Sequence, residues 1–160
     1  MRTQFKHLWF MLFIFFLIGA TNDTSARTDK INWLSYKDVQ QDTNTEAKKI
    51  FFYFSSRSCG YCRMLESKTF KDEAIIDYLN SNFRPVWIST DDDRKLAQRF
   101  SITGVPDLRF MTHEGKPIAR WPGYIEAKDL INLLKFVYTD SYQKMSYMDF
   151  LKQNGSEKKN

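Results

Sequence analysis

A run of apolar and aromatic residues leads directly into a pair of closely spaced cysteines, and this order limits the folds open to the chain. The run Lys49–Phe54 shows no alternation of polar and apolar residues, which predicts a strand buried on both faces of a sheet. Residues 55–58 are small or polar and predict a sharp turn. Cys59 then begins a segment in which Cys62 and Leu65 recur at helical spacing, so we expect Cys59 at the N-terminus of a helix.

Cys59 and Cys62 are the two cysteines of the sequence. A disulfide that closes a loop of two intervening residues constrains the unfolded chain little, so a purely stabilising role explains them poorly. A zinc site needs further ligands, and outside the N-terminal apolar segment these would have to come from His113 and carboxylates. We therefore expect no metal, and no cofactor other than the redox-active disulfide between the two cysteines.

The position at a helix start predicts that Cys59 attacks a disulfide bond. Cys62, one turn along and partly shielded, is expected to resolve the mixed disulfide that this attack forms. The attacking species is a thiolate, and lowering a thiol pKa of about 8.5 by two units needs roughly 2.7 kcal/mol. A helix dipole gives typically about 0.3–1 kcal/mol, so first-turn N–H groups and arginines must help. We expect Arg57 to lean over Cys59 and Arg63 to point to solvent, although surface solubility would also explain both. Gly60 is expected to let the backbone turn tightly between the sulfurs.

Composition indicates one compact domain and excludes a nucleic-acid surface. Hydrophobic residues make up 42% and charged residues 27% of the 160 residues, which suits a single domain. The net charge is +5, but basic and acidic side chains are interspersed and form no basic stripe with interleaved aromatics. We expect a monomer that binds no nucleic acid.

Residues 1–26 have the pattern of a signal peptide. Arg2 and Lys6 precede an apolar run over residues 8–18, which small residues follow. The run is shorter than the roughly 20 residues of a transmembrane helix. We expect cleavage after Ala20 or after Ala26, with the latter favoured, and an uncleaved interfacial anchor is the alternative.

The rest of the chain predicts alternating helices and strands. A capping box of Ser35 and Asp38 opens the first helix. Residues 91–93 are three adjacent aspartates, which predict the acidic start of a helix rather than a calcium site, because they lack EF-hand spacing. The predicted helices cover residues 35–48, 60–69, 72–81 and 126–139, and the predicted strands cover residues 50–54, 83–89, 108–111 and 118–121.

Together these features resemble the thioredoxin superfamily, and most closely its exported bacterial thioredoxin-like members. The motifs are the aromatic strand, Cys59-Gly-Tyr-Cys62, Val105-Pro106 and Pro122-Gly-Tyr124, in this order within residues 31–137. The resemblance implies an α/β thioredoxin-like fold, in which a central mixed sheet is flanked by helices, with extra N-terminal and C-terminal helices. It also implies thiol:disulfide oxidoreductase activity in the periplasm. We expect the domain to span residues 27–140.

The resemblance also implies the client site. Pro106 stands where the superfamily has a cis-proline opposite the dithiol, and an ordinary trans turn is the alternative. Backbone groups of Val105 would bind an extended client segment, with Gly123 nearby. Tyr61 between the cysteines is shared with exported disulfide isomerases, whereas Val105 before the proline is shared with exported disulfide oxidases. The direction of electron flow therefore stays open.

Two positions depart from the superfamily. Cytoplasmic thioredoxins place a buried aspartate six residues before the first cysteine and a lysine on the next strand, and here these positions are Tyr53 and Trp87. The change removes the usual proton acceptor for Cys62. Asp107, Glu66 or a water is expected to replace it, although Asp107 could instead be a solvent-facing strand residue.

The most economical function is a minimal exported thioredoxin that reduces disulfides in client proteins and is kept reduced by a membrane electron donor. The chain has no segment long enough for the dimerisation domain of isomerases, and the spacing from Cys62 to Pro106 is too short for the inserted helical domain of oxidases. Two alternatives remain. One is a non-catalytic thioredoxin-fold binding module or chaperone, and the other is an enzyme working in the oxidase or isomerase direction.

Residues 141–160 predict a short amphipathic helix and a polar tail. Tyr142, Met145, Met148 and Leu151 recur at three-residue steps, with Tyr147 and Phe150 alongside. We expect this face to pack against the domain, and a docking surface for a client is the alternative.

Overall fold

The computed structural model of the protein describes residues 30–41 and 47–157. The predicted signal peptide, with its cleavage sites after Ala20 or Ala26, lies outside these residues. Within them, no helix combines the length and the apolar composition that crossing a membrane requires.

Helices and strands alternate along the described residues much as the periodicity predicts. Two short 3-10 helices, Thr69–Lys71 and Ser141–Gln143, lie between the main elements. In chain order the main elements are α1 (Tyr36–Gln41), β1 (Lys49–Ser55), α2 (Gly60–Ser67), α3 (Glu73–Asn82), β2 (Phe83–Ser89), α4 (Arg94–Arg99), β3 (Asp107–Met111), β4 (Pro117–Pro122), α5 (Ala127–Tyr138) and α6 (Tyr147–Glu157).

The four strands form one mixed sheet in the order β2-β1-β3-β4. Strand β1 pairs parallel with β2 and antiparallel with β3, and β3 pairs antiparallel with β4. Helices cover both faces of this sheet. The expected architecture, a central mixed sheet flanked by helices with further helices at both ends, is therefore confirmed.

Strand β1 is the centre of the core, and its aromatic side chains alternate between the two faces. Phe51 and Tyr53 pack on one face with side chains of α2, α3 and α5. Phe52 and Phe54 pack on the other face with Leu96 of α4 and with aromatic rings near α1. Each fully buried aromatic contributes roughly 1.5–3 kcal/mol. Because helices cover both faces, the strand has no polar side to show in the sequence.

Side-chain caps fix the starts of α1 and α4. Ser35 and Asp38 form the predicted capping box, in which the Asp38 carboxylate accepts from the Ser35 N–H at 2.9 Å. Asp93 caps α4 by accepting from the Leu96 N–H at 2.9 Å, so the prediction of an acidic helix start is confirmed. The first helix was predicted too long at its C-terminal end, because Lys48 is not helical.

The C-terminal helix α6 packs against α5 as predicted, and Tyr142, Met145 and Phe150 of this segment contact the core. Phe150 is buried, and its ring lies 5.3 Å from that of Phe136. Met148 was predicted on the apolar face and is instead 62% exposed. The three-residue pattern starts at Tyr142 in a 3-10 helix and crosses a turn before α6 begins, and this turn resets the helical phase. The contacts match the packing interpretation of this segment.

Candidate active site

The two cysteines form a disulfide at the N-terminus of α2. Cys59 is the N-cap residue, and its sulfur accepts a hydrogen bond from the Cys62 backbone N–H at 3.0 Å. Cys59 is half-buried, whereas Cys62 is 1% exposed and belongs to the main core cluster. The predicted placement of an accessible first cysteine and a shielded second one is therefore confirmed.

The segment before β3 faces the disulfide. The peptide bond between Val105 and Pro106 is cis, and the Cys59 sulfur lies 3.5 Å from the Val105 carbonyl oxygen. The Pro106 carbonyl oxygen accepts from the Gly123 N–H at 2.7 Å. Gly123 has a φ of 91°, a left-handed conformation that favours glycine. The turn after β4 thus holds the backbone that lies beside Cys59.

Gly60 and Tyr61 lie between the two cysteines, in the first turn of α2. Tyr61 is 64% exposed and projects from the first turn of α2. Gly60 is the first residue of the helix and is not among the described glycines with positive φ. A Cβ at Gly60 would meet only a guanidinium nitrogen of Arg63 at 3.9 Å. The backbone at Gly60 therefore shows no feature that requires glycine.

Arg57 is directed away from the position predicted for it. The prediction placed its side chain over Cys59, but its guanidinium lies 3.1 Å from the Asp92 carboxylate and 3.7 Å from that of Asp91. Its backbone N–H also donates to Asp91 at 2.7 Å. Arg63 donates to the Arg57 carbonyl oxygen at 3.1 Å. These contacts join the loop before α2 to the loop after β2, and they balance the charge of Arg57 locally.

Tyr53 lies beneath α2, in the position where cytoplasmic thioredoxins have a buried aspartate. Its hydroxyl donates to the Glu66 carboxylate at 2.7 Å and lies 3.4 Å from the Cys62 carbonyl oxygen. Burial raises the pKa of the Tyr53 hydroxyl, and the hydrogen bond to Glu66 raises it further. Tyr53 therefore stays protonated and acts as a donor at every physiological pH.

Trp87 occupies the neighbouring position on β2. Its indole N–H donates to the Ser55 hydroxyl at 2.6 Å, and its ring lies 5.9 Å from that of Tyr53. A pocket of about 300 Å³ opens between these residues and α2. Its lining includes Glu66 and Ser89, and the Ser89 hydroxyl is buried with no hydrogen-bond partner in the described part of the chain.

Asp107 is fully buried, so the interpretation of this residue as a solvent-facing strand residue is wrong. Its carboxylate accepts from Arg109 at 3.1 and 3.3 Å and from Arg120 at 2.9 and 2.7 Å. Asp107 pairs with Phe54 across the sheet and shares its face, whereas Cys62 lies in the cluster on the other face. This placement argues against Asp107 as the proton acceptor for Cys62.

The sequence interpretation missed both arginine partners of Asp107. Arg109 follows it by two residues and therefore lies on the same face of β3. Arg120 lies opposite Arg109 in the antiparallel pairing of β3 and β4. The alternation along β3 was a usable signal for Arg109, but Arg120 could be found only from the register of the hairpin.

Metal ligands do not gather in the described residues, which contain no group of three or more His, Cys, Asp or Glu side chains that could hold an ion. The groups that the structure brings to the site are the disulfide, the backbone beside it and the Tyr53–Glu66 pair.

Known proteins similar to this chain include two that are named for disulfide chemistry. The chain is 28% identical over 111 residues to the thiol:disulfide interchange protein DsbD of Campylobacter jejuni, which covers 67% of the chain and 19% of DsbD. It is 26% identical over 103 residues to the disulfide bond reductase DsbH of Chlamydia pneumoniae, which covers 56% of the chain and 61% of DsbH. The chain thus spans only part of each of these relatives.

A solved structure of a DsbH oxidoreductase superposes with a TM-score of 0.60 at 17% identity, covering 80% of this chain and 94% of that one. At this identity the likeness shows the fold. Residues 36–138, which are more than half of the chain, match the family model described as Thioredoxin-like domain. The chain therefore belongs to the thioredoxin-like domain family.

Proposed function

We propose that the protein is an exported enzyme that reduces disulfide bonds in client proteins with the Cys59–Cys62 dithiol. One observation carries the proposal. The Cys59 sulfur caps a helix N-terminus, is partly accessible and lies 3.5 Å from the Val105 carbonyl oxygen, while Cys62 is buried behind it. An accessible nucleophile, a shielded resolving thiol and a free backbone edge are the three parts that thiol exchange with a polypeptide needs.

The first step is the attack of Cys59 on the client. The Cys62 N–H and the start of α2 stabilise negative charge on the Cys59 sulfur, so the reduced residue is available as a thiolate. The thiolate forms a bond to one client sulfur, and the client disulfide breaks. The second client sulfur leaves as a thiolate and takes a proton from solvent. The product is a mixed disulfide between Cys59 and the client.

The second step returns the client as a dithiol. Cys62 loses its proton, and its thiolate attacks the Cys59 sulfur. The mixed disulfide breaks, the remaining client sulfur leaves as a thiolate and takes a proton from solvent, and the Cys59–Cys62 disulfide forms. Two electrons have then passed from the dithiol to the client. A reduced dithiol on a membrane electron donor is proposed to restore them by the same exchange in reverse.

Backbone contacts are proposed to align the client. Pro106 has no N–H, which leaves the backbone groups of Val105 open to an extended client segment in the manner of an added strand. Tyr61, at 64% exposure, offers an apolar contact beside the reacting sulfur. Gly123 supports this segment through its hydrogen bond to the Pro106 carbonyl oxygen.

The reducing direction has support from a relative. The Chlamydia pneumoniae protein similar to this chain is named a disulfide bond reductase. The direction depends on the potential of the dithiol, and about 30 mV corresponds to 1.4 kcal/mol for a two-electron couple. Equilibration of the protein with glutathione buffers measures this potential. A value below that of the glutathione pool supports a reductant, and a value well above it would indicate an oxidase or isomerase.

Export and domain organisation are part of the same proposal. Residues 1–26 would be removed as a signal peptide, residues 27–140 would form the catalytic domain, and residues 141–160 would add the C-terminal helix and polar tail. The mature protein would act as a periplasmic monomer. The N-terminal sequence and sedimentation behaviour of the protein recovered from a periplasmic extract test these statements, and a product that keeps Arg2 and Lys6 would contradict them.

Insulin reduction by dithiothreitol tests the activity. The wild-type protein should accelerate precipitation of the insulin B chain, and Cys59→Ser should abolish the acceleration. Cys62→Ser should instead trap a mixed disulfide with insulin, visible on a non-reducing gel. Ser58→Ala is the matched control, because it changes the preceding exposed side chain and leaves both thiols. Equal rates for wild type and Cys59→Ser would favour a binding module or chaperone.

A further inference from the structure

We propose that a cavity on the face of the sheet covered by α1 and α4 binds a small molecule with an apolar body and one acidic head group. The cavity has a volume of about 930 Å³ and is bounded by α1, the end of α4 and the hairpin between β3 and β4. Sites for small molecules have volumes of about 300–1,000 Å³. The inference is independent of the proposed function, because none of the described lining residues takes part in the thiol exchange.

The cavity lies at the end of the sheet opposite the disulfide. Ile50 and Arg84 line it near the starts of β1 and β2, and Met111 lines it at the end of β3. Cys59 follows the C-terminal end of β1 instead, and Val105, which it contacts, precedes β3. The cavity is therefore separate from the proposed client site.

The floor of the cavity is apolar. Ile50 and Phe52 of β1 belong to the buried cluster on this face of the sheet, and Phe100 and Met111 pack against that cluster. The Phe100 ring lies 5.2 Å from that of Phe52. Apolar surface in contact with water is unfavourable, so this floor favours an occupant with an apolar body over an inorganic ion.

Two arginines of the sheet border this floor. Arg84 of β2 is in register with Ile50, and Arg109 of β3 is in register with Phe52, so both lie on the same face as the floor. The Arg109 guanidinium donates to the Asp107 carboxylate at 3.1 and 3.3 Å, which fixes its position beside the cavity. Guanidinium groups stay charged at every physiological pH and bind carboxylates through paired N–H groups.

A third arginine lines the cavity from the helical side. Arg99 ends α4, and its guanidinium lies 5.9 Å from the centre of the Tyr36 ring on α1. Among the described lining residues Glu114 is the only carboxylate, and it lies 3.1 Å from His113, which also lines the cavity. Even with Asp107 counted, the three guanidiniums outnumber the carboxylates. The excess positive charge is complementary to one acidic head group.

Isothermal titration calorimetry with decanoate at pH 7, below its micellar concentration, tests the site. Decanol and decylammonium are the comparison ligands, since they keep the apolar body and replace the carboxylate. Decanoate should bind with one-to-one stoichiometry, and decanol should bind about tenfold more weakly, in line with the loss of one charge-assisted hydrogen bond. Decylammonium should bind more weakly still. Equal affinities for the three ligands, or no binding of decanoate, would overturn the inference.

Amide NMR spectra of the protein locate the bound decanoate. The signals of Phe52 and Met111 should shift on titration, whereas that of Tyr61, beside the disulfide, should not. Shifts centred on Tyr61 or on the exposed Met148 of α6 would overturn the inference, because they would indicate binding to exposed apolar side chains elsewhere.

Charge variants on α4 test the contribution of the arginines. Arg99→Gln should weaken decanoate binding about tenfold and leave decanol binding unchanged, while Arg99→Lys should retain part of the affinity. Arg94→Gln is the matched control, because it removes an exposed arginine from the first turn of the same helix, outside the cavity. Equal affinities of Arg99→Gln and wild type for decanoate would overturn the inference.

The Cys59→Ser variant separates this site from the thiol exchange. It should bind decanoate like wild type, whatever its activity in insulin reduction. Loss of decanoate binding in this variant would place the ligand at the disulfide and overturn the inference. Failure of the proposed function, seen as equal insulin reduction by wild type and Cys59→Ser, would leave the calorimetric result unchanged.

Discussion

The Arg120 guanidinium donates two hydrogen bonds to the Asp107 carboxylate, at 2.9 and 2.7 Å, on the face of the sheet opposite Cys62. These bonds also raise the pKa of Arg120 above its usual value. Asp107 directly follows Pro106, so the first residue of β3 is tied to β4 at the point where the chain leaves the disulfide. The pair therefore joins β3 to β4 next to Pro106.

Asp107→Ala should lower the free energy of unfolding by about 3 kcal/mol, because the largely buried guanidinium of Arg109 would lose the carboxylate that it pairs with. Urea denaturation at pH 7 measures the change. Asp92→Ala is the control, since this aspartate is exposed and its pair with Arg57 should be worth less than about 1 kcal/mol. Equal losses in the two variants would contradict the role assigned to Asp107.

Asp140 should make stability depend on pH at the acidic end. Burial opposes its ionisation, but hydrogen bonds from Lys49, Tyr142 and Gln143 outweigh it and lower the pKa of Asp140. A folded-state pKa below the unfolded value of about 3.9 stabilises the protein above that pH, and the contribution disappears as the pH falls through the lowered pKa.

The Asp140→Asn variant tests this pH dependence without changing the backbone. Asp140 has a φ of 57°, a conformation that asparagine also accepts. The variant should be less stable than wild type by about 0.5–1 kcal/mol at pH 7. The difference should vanish well below pH 3.9, as followed by urea midpoints across a pH series. A difference that persists in acid would mean that the charge is not its cause.

Phe150→Ala should lower the free energy of unfolding, measured by urea denaturation, by about 3 kcal/mol, because the ring is buried against Phe136. Met148→Ala, on the exposed side of the same helix, should change stability by less than about 0.5 kcal/mol. Truncation after Asp140 should reduce solubility as well as stability. Loss of insulin reduction by a truncated protein that remains folded and soluble would instead indicate a docking surface.

Gly123→Ala should destabilise the protein by about 1 kcal/mol or more, because alanine is strained at a φ of 91°. Gly104→Ala is the matched control on the other side of Pro106. A Cβ at Gly104 meets no atom within 4 Å, and its φ lies outside the left-handed range. The control should be neutral in thermal denaturation, and an equal loss in both variants would argue that the left-handed backbone is not responsible.

Local patterns were sufficient to predict the parts of the site that depend on spacing within one element. The uninterrupted apolar run of β1 and the three-residue interval between Cys59 and Cys62 are properties of short segments, and their placement is confirmed. Glu66 was among the candidate proton acceptors because it lies one turn beyond Cys62. Its hydrogen bond to Tyr53 required the packing of α2 on β1.

Contacts between elements account for the predictions that were wrong. Arg57 was placed over Cys59 from its position in the sequence, but the loop after β2 brings Asp91 and Asp92 closer to it. The partners of Asp107 depend on the register of β3 and β4, which a single sequence does not reveal. In the C-terminal segment, irregular backbone changed the phase of the helix, so Met148 is exposed, although Tyr142 and Met145 of the same pattern contact the core.

Cys59 and Val105 are separated by 46 positions in the chain, and they meet because β1 and β3 are neighbours in the sheet. A peptide containing only the first turn of α2 would keep the nucleophile and lose the surface that presents a client to it. As the protein unfolds, the rate of reaction with polypeptide disulfides should therefore fall before the rate of reaction with small disulfides. The ratio of these two rates therefore measures the fraction of molecules in which β1 and β3 are paired.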